Sequence, residues 1–218
     1  MFVLTIDQRR SRAGRDLVPE ALALATAGAG TALGRPFERT VGDELQGVLT
    51  EAGPTVAVVL ALAQRSQWHI GIGVGAVEEP LPSSTRAARG PAFQAARDAV
   101  EEARSSSRHI AVRAAGYAES QFAEDHARWA ETGLWLVAHV MSARSDRGWE
   151  VVNLLAQGLN QREASGQLGV TQAAVSQRVS RAGWAEQTRG AELVVYHLAE
   201  AERLARLTGP PRAEQATW

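Results

Sequence analysis

The first half of the chain alternates short apolar runs of strand type with longer runs of helix type. Residues 2–7, FVLTID, are β-branched and apolar, and they predict a strand that ends at Asp7. After Asp16 the alanine- and leucine-rich run LVPEALALATAGAGTAL predicts a helix. The short runs PFERTV and ELQGVLT follow, and the Gly42-Asp43 pair between them is typical of a β-hairpin turn.

The pattern continues with a helix, a strand, a helix and a strand. These are predicted by TVAVVLALAQRSQ, by the glycine-containing run HIGIGVGAVEE, by residues 90–104 and by SSRHIAVRAAG. The order β-α-β-β-α-β-α-β over residues 1–116 predicts a split βαβ, or ferredoxin-like, α/β sandwich with additions. Glycines 71, 73 and 75 leave one face of a strand bare, and close packing of a helix is a commoner reason for such a face than a ligand.

The second half of the chain has helical periodicity only. Residues 117–144 predict a connecting helical segment with a break near Thr132 and Gly133, and its aromatic residues are expected in the core or at an interface. The polar stretch Ser145–Gly148 predicts a linker or helix junction. Residues 145–218 then predict an all-α domain, which gives the chain an α+β fold class. Its last helix, AELVVYHLAEAERLARL, either packs on the domain or pairs with a second subunit.

Composition excludes several classes of chemistry. The net charge of −1 means that a nucleic-acid partner must be argued from a local patch, and the arginines at 9, 10, 12 and 15 are expected to be solvated surface. The chain has no cysteine, which excludes disulfides, cysteine zinc sites and thiol nucleophiles. It also has no lysine, which excludes Schiff-base chemistry and the lysine of a Walker-type phosphate loop. With no apolar run near ~20 residues and too short an apolar start for a signal peptide, we expect a cytoplasmic protein without a membrane partner.

The most informative stretch is GWEVVNLLAQGLNQREASGQLGVTQAAVSQRVSRAG, residues 148–183. Trp149–Gln157 predicts a short helix, Gln161–Leu168 a second, Gly169 the tight turn after it, and Thr171 the cap of a third. This order is helix-turn-helix architecture. Over about forty residues it resembles the helix-turn-helix domains of bacterial transcription regulators, which implies a double-stranded DNA partner.

The third helix of this motif leaves polar side chains on its outer face. Glutamine can donate to and accept from an adenine edge in the major groove, while arginine, a hydroxyl and a helix N-terminus can hold phosphates. The resemblance also assigns the small buried position of the preceding helix to Ser165. The predicted DNA-binding residues are Thr171, Gln172, Ala173, Ser176, Gln177, Arg178 and Arg181.

Two acidic residues fall at neighbouring strand ends of the predicted sandwich. The first strand ends at Asp7 and the hairpin tip carries Asp43, so the topology brings the two together. Two carboxylates supply the oxygen ligands that Mg²⁺ prefers. The alternatives are that Asp43 is a turn residue and that Asp7 caps a helix or loop.

These residues resemble the palm-like core of class III nucleotide cyclases and GGDEF domains, which uses two acidic residues in this arrangement. The matching stretches are TIDQ, RTVGDELQGV, HIGIGVG and GPAFQAARDA, and the chain is also similar to what is expected of the bacterial SatD-like family. The resemblance implies Mg²⁺ on Asp7 and Asp43. It implies a nucleotide ligand held at Arg39, Gly42, Asp43 and Arg97.

The chain departs from the cyclase pattern at two places. Cyclases carry a lysine or another base-selecting residue before the Gly-Asp turn, where this chain has Arg39. They also carry an asparagine and, four residues on, an arginine, whereas Gln94 and Arg97 are three apart, a slip that turns a helical side chain by about 100°. Because transition-state charge needs accurately placed cations, we expect a degenerate site without a catalytic residue.

The sequence therefore predicts a sequence-specific DNA-binding transcriptional regulator. Its degenerate cyclase-like domain senses a nucleotide or mediates dimerisation, and a homodimer is expected because one helix-turn-helix makes few contacts. Two alternatives stay open. One is a metal-dependent nucleotide cyclase or nucleotidyltransferase targeted to DNA, and the other is an adaptor whose helix-turn-helix contacts another protein. For the motif itself, the alternative is an ordinary three-helix packing unit without a DNA contact.

Overall fold

The computed structural model describes residues 1–11, 14–116 and 120–207. Arg12, residues 117–119 of the expected connecting segment and residues 208–218 of the expected C-terminal domain lie outside these ranges. The described part is mixed α and β. Its strands are β1 (Phe2–Gln8), β2 (Leu33–Arg39), β3 (Glu44–Leu49), β4 (Trp68–Gly75) and β5 (Ile110–Ala115).

Helices cover both faces of the sheet and form the whole C-terminal part of the described chain. No described helix has the length and apolar character needed to cross a bilayer. The helices are α1 (Val18–Ala29), α2 (Ala52–Ala63), α3 (Pro91–Ser105), α4 (Gln121–Ser142), α5 (Asp146–Ala156), α6 (Gln161–Leu168), α7 (Gln172–Arg181) and α8 (Trp184–Leu207).

The five strands form one sheet in the order β2-β3-β1-β4-β5. The pairings of β2 with β3, β3 with β1 and β1 with β4 are antiparallel, while β4 and β5 are parallel. The hairpin predicted at the Gly-Asp turn therefore joins β2 to β3. The register places Asp7 of β1 opposite Glu44 of β3 on one side and His69 of β4 on the other.

The two faces of the sheet are packed differently. Leu4 and Ile6 of β1 point into the main core, which α1, α2, α4 and α8 complete. The opposite face carries α3. At Gly71 and Gly73 an added Cβ would collide with the backbone of α3, at Val100 and Ala92. The bare strand face is therefore explained by close helix packing, as the sequence predicted.

Helix α4 runs unbroken through Thr132 and Gly133, so the predicted break is wrong. Gly133 serves a different purpose, because a Cβ there would lie 2.7 Å from Cγ2 of Val194 in α8. Glycine thus allows two helices to approach closely, and the neighbouring helical turns keep the helix intact. The pairing of residue 133 with 194, and of 140 with 183, shows that α4 and α8 run antiparallel.

Helix α8 buries its apolar stripe inside the same chain. Val194, Leu198 and Ala201 are fully buried in the core, where α8 contacts α4, α2 and β4. The C-terminal part of α8 is also held by an ion pair of 2.7 Å between Glu202 and the amino group of Met1. The sequence predicted that this helix packs on the C-terminal domain or pairs with a second subunit. Instead it packs mainly on α4, α2 and β4, outside residues 145–218, because its apolar stripe completes the core beneath the sheet.

Candidate nucleic-acid interface

Helices α5, α6 and α7 enclose a small core of their own. One residue from each helix lies at its centre, and Val151, Ala164 and Val175 are all fully buried. A ring of leucine and valine side chains packs around them and closes the unit. The ring consists of Leu154, Leu155, Leu168, Val170 and Val179.

The small buried residue of α6 is Ala164, so its assignment to Ser165 is wrong. Ser165 is only half-buried, and its hydroxyl donates to the carbonyl of Arg162 over 2.7 Å. One residue corresponds to a rotation of about 100° on a helix, which separates the inward position from the partly exposed one. Ala164 is the small residue that lies where the three helices meet.

A capping box fixes the start of α6. The Asn160 side chain accepts from the N–H groups of Arg162 and Glu163, both at 3.0 Å, and the Glu163 carboxylate accepts from the Asn160 N–H at 2.8 Å. At the other end of α6, Gly169 adopts the left-handed conformation with φ 63° and ψ 31°. The glycine turn was predicted; the capping box was not, although Asn160 followed three residues later by Glu163 is its sequence signature.

Helix α7 begins where the sequence predicted and turns one polar face outward. Thr171 caps it by accepting from the Ala174 N–H at 3.2 Å. Val175 points inward, while six of the seven predicted contact residues are exposed. Within the described chain, the side chains of Gln172, Ser176, Gln177 and Arg181 make no hydrogen bond or ion pair. The exposed residues are Thr171, Gln172, Ala173, Ser176, Gln177 and Arg181.

The seventh predicted residue, Arg178, already has a partner. It is half-buried, and its Nη1 lies 3.6 Å from the carboxylate of Glu150 on α5. At that separation the contact is an ion pair without a short hydrogen bond. Arg178 therefore ties α7 to α5, and it could contact a phosphate only by sharing its guanidinium or leaving Glu150.

A groove of about 420 Å³ separates the later turns of α7 from the start of α5. Arg147, Arg178 and Arg181 line it, together with Ser145, which caps α5 by accepting from the Gly148 N–H. No carboxylate is among the lining residues, and a helix N-terminus adds partial positive charge. Arg147 was not among the predicted DNA-binding residues, because residues 145–148 were interpreted as a linker or helix junction. In the structure, residues 146–148 belong to α5.

Arg144 attaches the three-helix unit to the rest of the chain. Its Nε donates to the carbonyl of Ala182 at 2.9 Å, and its Nη2 donates to the side chain of Gln187 at 2.8 Å. The guanidinium carbon lies 4.3 Å from the ring centroid of Trp149. Burial lowers the pKa of Arg144, and the contacts link the end of α4 to α5 and to the turn before α8.

The acidic pair lies at the far end of β1. Asp7 forms an ion pair of 3.1 Å with Arg104 of α3. Burial raises the pKa of Asp7, and the charge of Asp43 raises it further, although Arg104 opposes both. The backbone brings the two residues side by side, since the N–H of Gln8, next to Asp7, donates to the carbonyl of Asp43 at 3.4 Å. Among the described residues, no group of three or more His, Asp or Glu side chains is gathered for a metal ion.

Of the other residues expected to hold a nucleotide, Gly42 directly precedes Asp43, whereas Arg39 and Arg97 form no ion pair with either aspartate within the described chain. Arg39 forms an ion pair with Asp16, and Gly42 occupies the hairpin turn with φ 59°. Arg97 is exposed on α3, seven residues before Arg104, which is about 10 Å along the helix axis. Arg104 is the cation that contacts Asp7, and the sequence pattern gave no reason to select it over Arg97.

Comparison with known proteins gives no independent assignment of this site, since no family model, curated protein or solved structure matches the chain.

Proposed function

We propose that this chain is a sequence-specific DNA-binding transcriptional regulator and that α7 enters the major groove. One observation carries the proposal: α7 presents a row of exposed amide and hydroxyl side chains that have no partner within the described chain. These groups follow the turn at Gly169 and the cap at Thr171, which is where a helix-turn-helix presents its recognition helix. A regulator of this kind acts where the chromosome is, so a bacterial cytoplasmic location is part of the proposal.

The chemistry divides the interface into two parts. Gln172 and Gln177 can each pair with the edge of an adenine, which supplies sequence discrimination. Thr171 with the N-terminus of α7 and the arginines of the groove beside α5 can hold phosphates, which supplies affinity and register. Arg147 joins Arg181 in the second set, and Arg178 joins it when a phosphate competes with Glu150.

We further propose that the protein binds DNA as a homodimer, with the outer face of α4 and α8 against a second copy. Three exposed apolar residues lie at intervals of seven along α4, which is the spacing of the contact face in helix bundles: Phe122, Trp129 and Leu136. The apolar surface continues on α8 with Leu193 and Tyr196. Charges of both signs border it, so a twofold axis can place acid opposite base. These bordering residues are Asp125, Arg128, Glu200 and Arg203.

We also propose that residues 1–116 form a ferredoxin-like sandwich. The strand order β4-β1-β3-β2 with antiparallel pairing, and with α1 and α2 on one face, supports this proposal. Helix α3 and strand β5 would be additions to such a sandwich. We infer from it a relationship to the palm-like core of the cyclases, GGDEF domains and SatD-like proteins. The assignment remains a proposal about ancestry and fold.

A second candidate activity is favoured by the repulsion between Asp7 and Asp43. Mg²⁺ is commonly held by one or two carboxylates together with substrate phosphates, and this pair fits that loose mode of binding. Asp7 and Asp43 would hold the ion, which would neutralise nucleotide phosphates there. Arg104 would then exchange part of its contact with Asp7 for the nucleotide. The site would sense a nucleotide, or turn it over if the enzyme alternative holds.

Duplex binding by alanine variants tests the main proposal. Gln177→Ala should reduce affinity for the preferred sequence about 5- to 150-fold, the value of one bidentate base contact, and leave non-specific binding unchanged. Arg181→Ala should weaken binding to all sequences and lower the salt slope by about one. Gln121→Ala and Arg65→Ala, exposed residues outside the three-helix unit, serve as matched controls. Equal affinity of all four variants would favour the adaptor.

A further inference from the structure

A partly open cavity lies at the end of the sheet where β4 and β5 begin, beneath the last turns of α2 and α4. Its volume is about 210 Å³. Arg9, Trp68, Arg108 and His109 line it, with Ile70 and Met141 among the apolar residues. Trp68 and Ile70 belong to the sheet face that packs on α2 and α4, whereas Asp7 belongs to the face that carries α3. The cavity is thus separate from the acidic pair and from α7.

Two lining residues carry buried nitrogen atoms without a hydrogen-bond partner in the described chain. These are Nε1 of Trp68, a residue 4% exposed, and Nδ1 of His109. The contrast with Trp135 is informative, because its indole N–H donates to the carbonyl of Ile110 at 2.8 Å. A buried polar group without a partner costs about 1–3 kcal/mol, so such groups are uncommon unless something else satisfies them.

The lining also carries positive charge without a matching negative one. Arg9 and Arg108 supply two guanidinium groups, and no Asp or Glu is among the lining residues. Each arginine uses only part of its donor capacity, since Nη1 of Arg9 donates to the carbonyl of Ser66 at 2.6 Å and Nη2 of Arg108 lies 2.8 Å from Nδ1 of His139. Burial lowers the pKa of His109, and the charge of Arg9 lowers it further.

The backbone beside the cavity adopts an uncommon conformation. Ser66 and His109 have φ values of 51° and 58°, and they are two of the three non-glycine residues with positive φ in the described chain. Left-handed backbone at residues with side chains costs of order 1 kcal/mol or more and is concentrated at ligand sites. Here it accompanies the unpartnered nitrogen of His109.

We propose that this cavity binds a small organic anion that carries one phosphate or carboxylate group. The anionic group is neutralised by Arg9 and Arg108 and accepts the hydrogen bond that the indole N–H of Trp68 otherwise lacks. Its short apolar body lies against Ile70 and Met141. The volume equals about seven water molecules at ~30 Å³ each, which is below the ~300 Å³ at which typical ligand pockets begin and too small for a nucleotide.

The position of the cavity gives the ligand a route to the three-helix unit. Ala138, Met141 and Ser142 of α4 line it, and Ser145, the cap of α5, follows three residues after Ser142. An anion that draws these residues together would shift the position of the N-terminal turn of α5. This regulatory consequence depends on the proposed DNA-binding function, whereas the binding site itself does not.

The test uses the full chain labelled with ¹⁵N and follows the indole resonance of Trp68, assigned with Trp68→Phe. Propyl phosphate and butyrate, which have similar bodies and different anionic groups, are titrated separately at constant ionic strength. We expect a saturable shift of the Trp68 indole with at least one of them. Whichever probe gives the shift identifies the anionic group.

Charge variants decide whether the site is specific. Arg9→Gln and Arg108→Gln should each weaken binding about tenfold or more, the value of a charge-assisted hydrogen bond, while Arg65→Gln, an exposed neighbour outside the lining, should change it less than about twofold. Arg9→Met, which also removes the charge, replaces Arg9→Gln if the latter does not fold. No saturable shift with either probe up to about 50 mM, or equal weakening in all variants, would overturn the proposal. Duplex affinity, measured separately, shows whether the DNA-binding function fails independently.

Discussion

At the residue scale, several side chains have their properties set by neighbours that are distant in sequence. Asp7 is an example, because burial and Asp43 hold its pKa above the ordinary value while Arg104 of α3 pulls it down. The sequence placed the two aspartates together through strand order. It gave no indication of Arg104, since α3 carries both Arg97 and Arg104 and only packing selects the one that reaches the sheet edge.

This balance predicts a pH-dependent effect of Asp43→Asn. A raised pKa means that folding favours the protonated form of Asp7, so this contribution to stability is complete below its unfolded pKa and is lost as the pH rises through the folded pKa. Removing the charge of Asp43 should lower the pKa of Asp7 and stabilise the fold at neutral pH by about 0.5–1 kcal/mol, with little gain near pH 3. Urea unfolding across this pH range measures it.

The control for that measurement is Asp98→Asn, which removes an exposed carboxylate from α3. It should leave the pKa of Asp7 unchanged, as read from carboxyl resonances. If Asp43→Asn and Asp98→Asn behave alike at every pH, the two aspartates are not electrostatic neighbours, and the proposed magnesium pair loses its support.

At the element scale, local signals in the sequence predicted helix ends better than helix contacts. The bounds of α6, the turn at Gly169 and the cap at Thr171 agree with the prediction, because each depends on residues adjacent in the chain. Gly133 was misjudged, since a glycine inside a helical pattern signals either a break or a close approach. Only the position of Val194, sixty-one residues later, distinguishes them.

Gly133→Ala should therefore destabilise the protein even though alanine is the better helix former. The new Cβ would stand 2.7 Å from Cγ2 of Val194 and force α4 and α8 apart, which we expect to cost about 1–3 kcal/mol. Gly166→Ala in α6 is the matched control, because nothing lies within 4 Å of its Cβ position, and it should stabilise by up to about 1 kcal/mol. Thermal unfolding of both variants tests the contrast, and stabilisation by both would refute close α4–α8 packing.

At the scale of the whole molecule, α4 and α8 connect the sheet to the three-helix unit and also carry the exposed apolar face. The sequence indicated the two halves and their order, because the switch from mixed to purely helical periodicity is visible in the chain. It could not indicate the clamp made by Arg144, the groove lined by Arg147 or the cavity at Trp68. Each of these is assembled from several elements, and no local pattern records which residues meet.

The proposed dimer predicts a loss of self-association in Leu136→Arg. An arginine in the middle of an apolar seam would be buried without a partner, which should raise the dimer dissociation constant by about a hundredfold or more. Sedimentation of the variant should show monomers, with weakened binding to paired half-sites and little change at a single half-site. Val41→Arg changes an equally exposed apolar residue at the β-hairpin and should leave the dimer intact. A dimer that survives Leu136→Arg would exclude this face.

The most direct test of the central claim is selection of bound sequences from a random duplex library by the full chain at physiological salt. We predict one enriched motif, repeated with twofold symmetry at a spacing of about one helical turn of DNA. With Gln177→Ala, we predict that the base preference is lost at a single base pair of each half-site. The absence of any enriched motif, or the same motif from a variant that lacks the exposed side chains of α7, would contradict it.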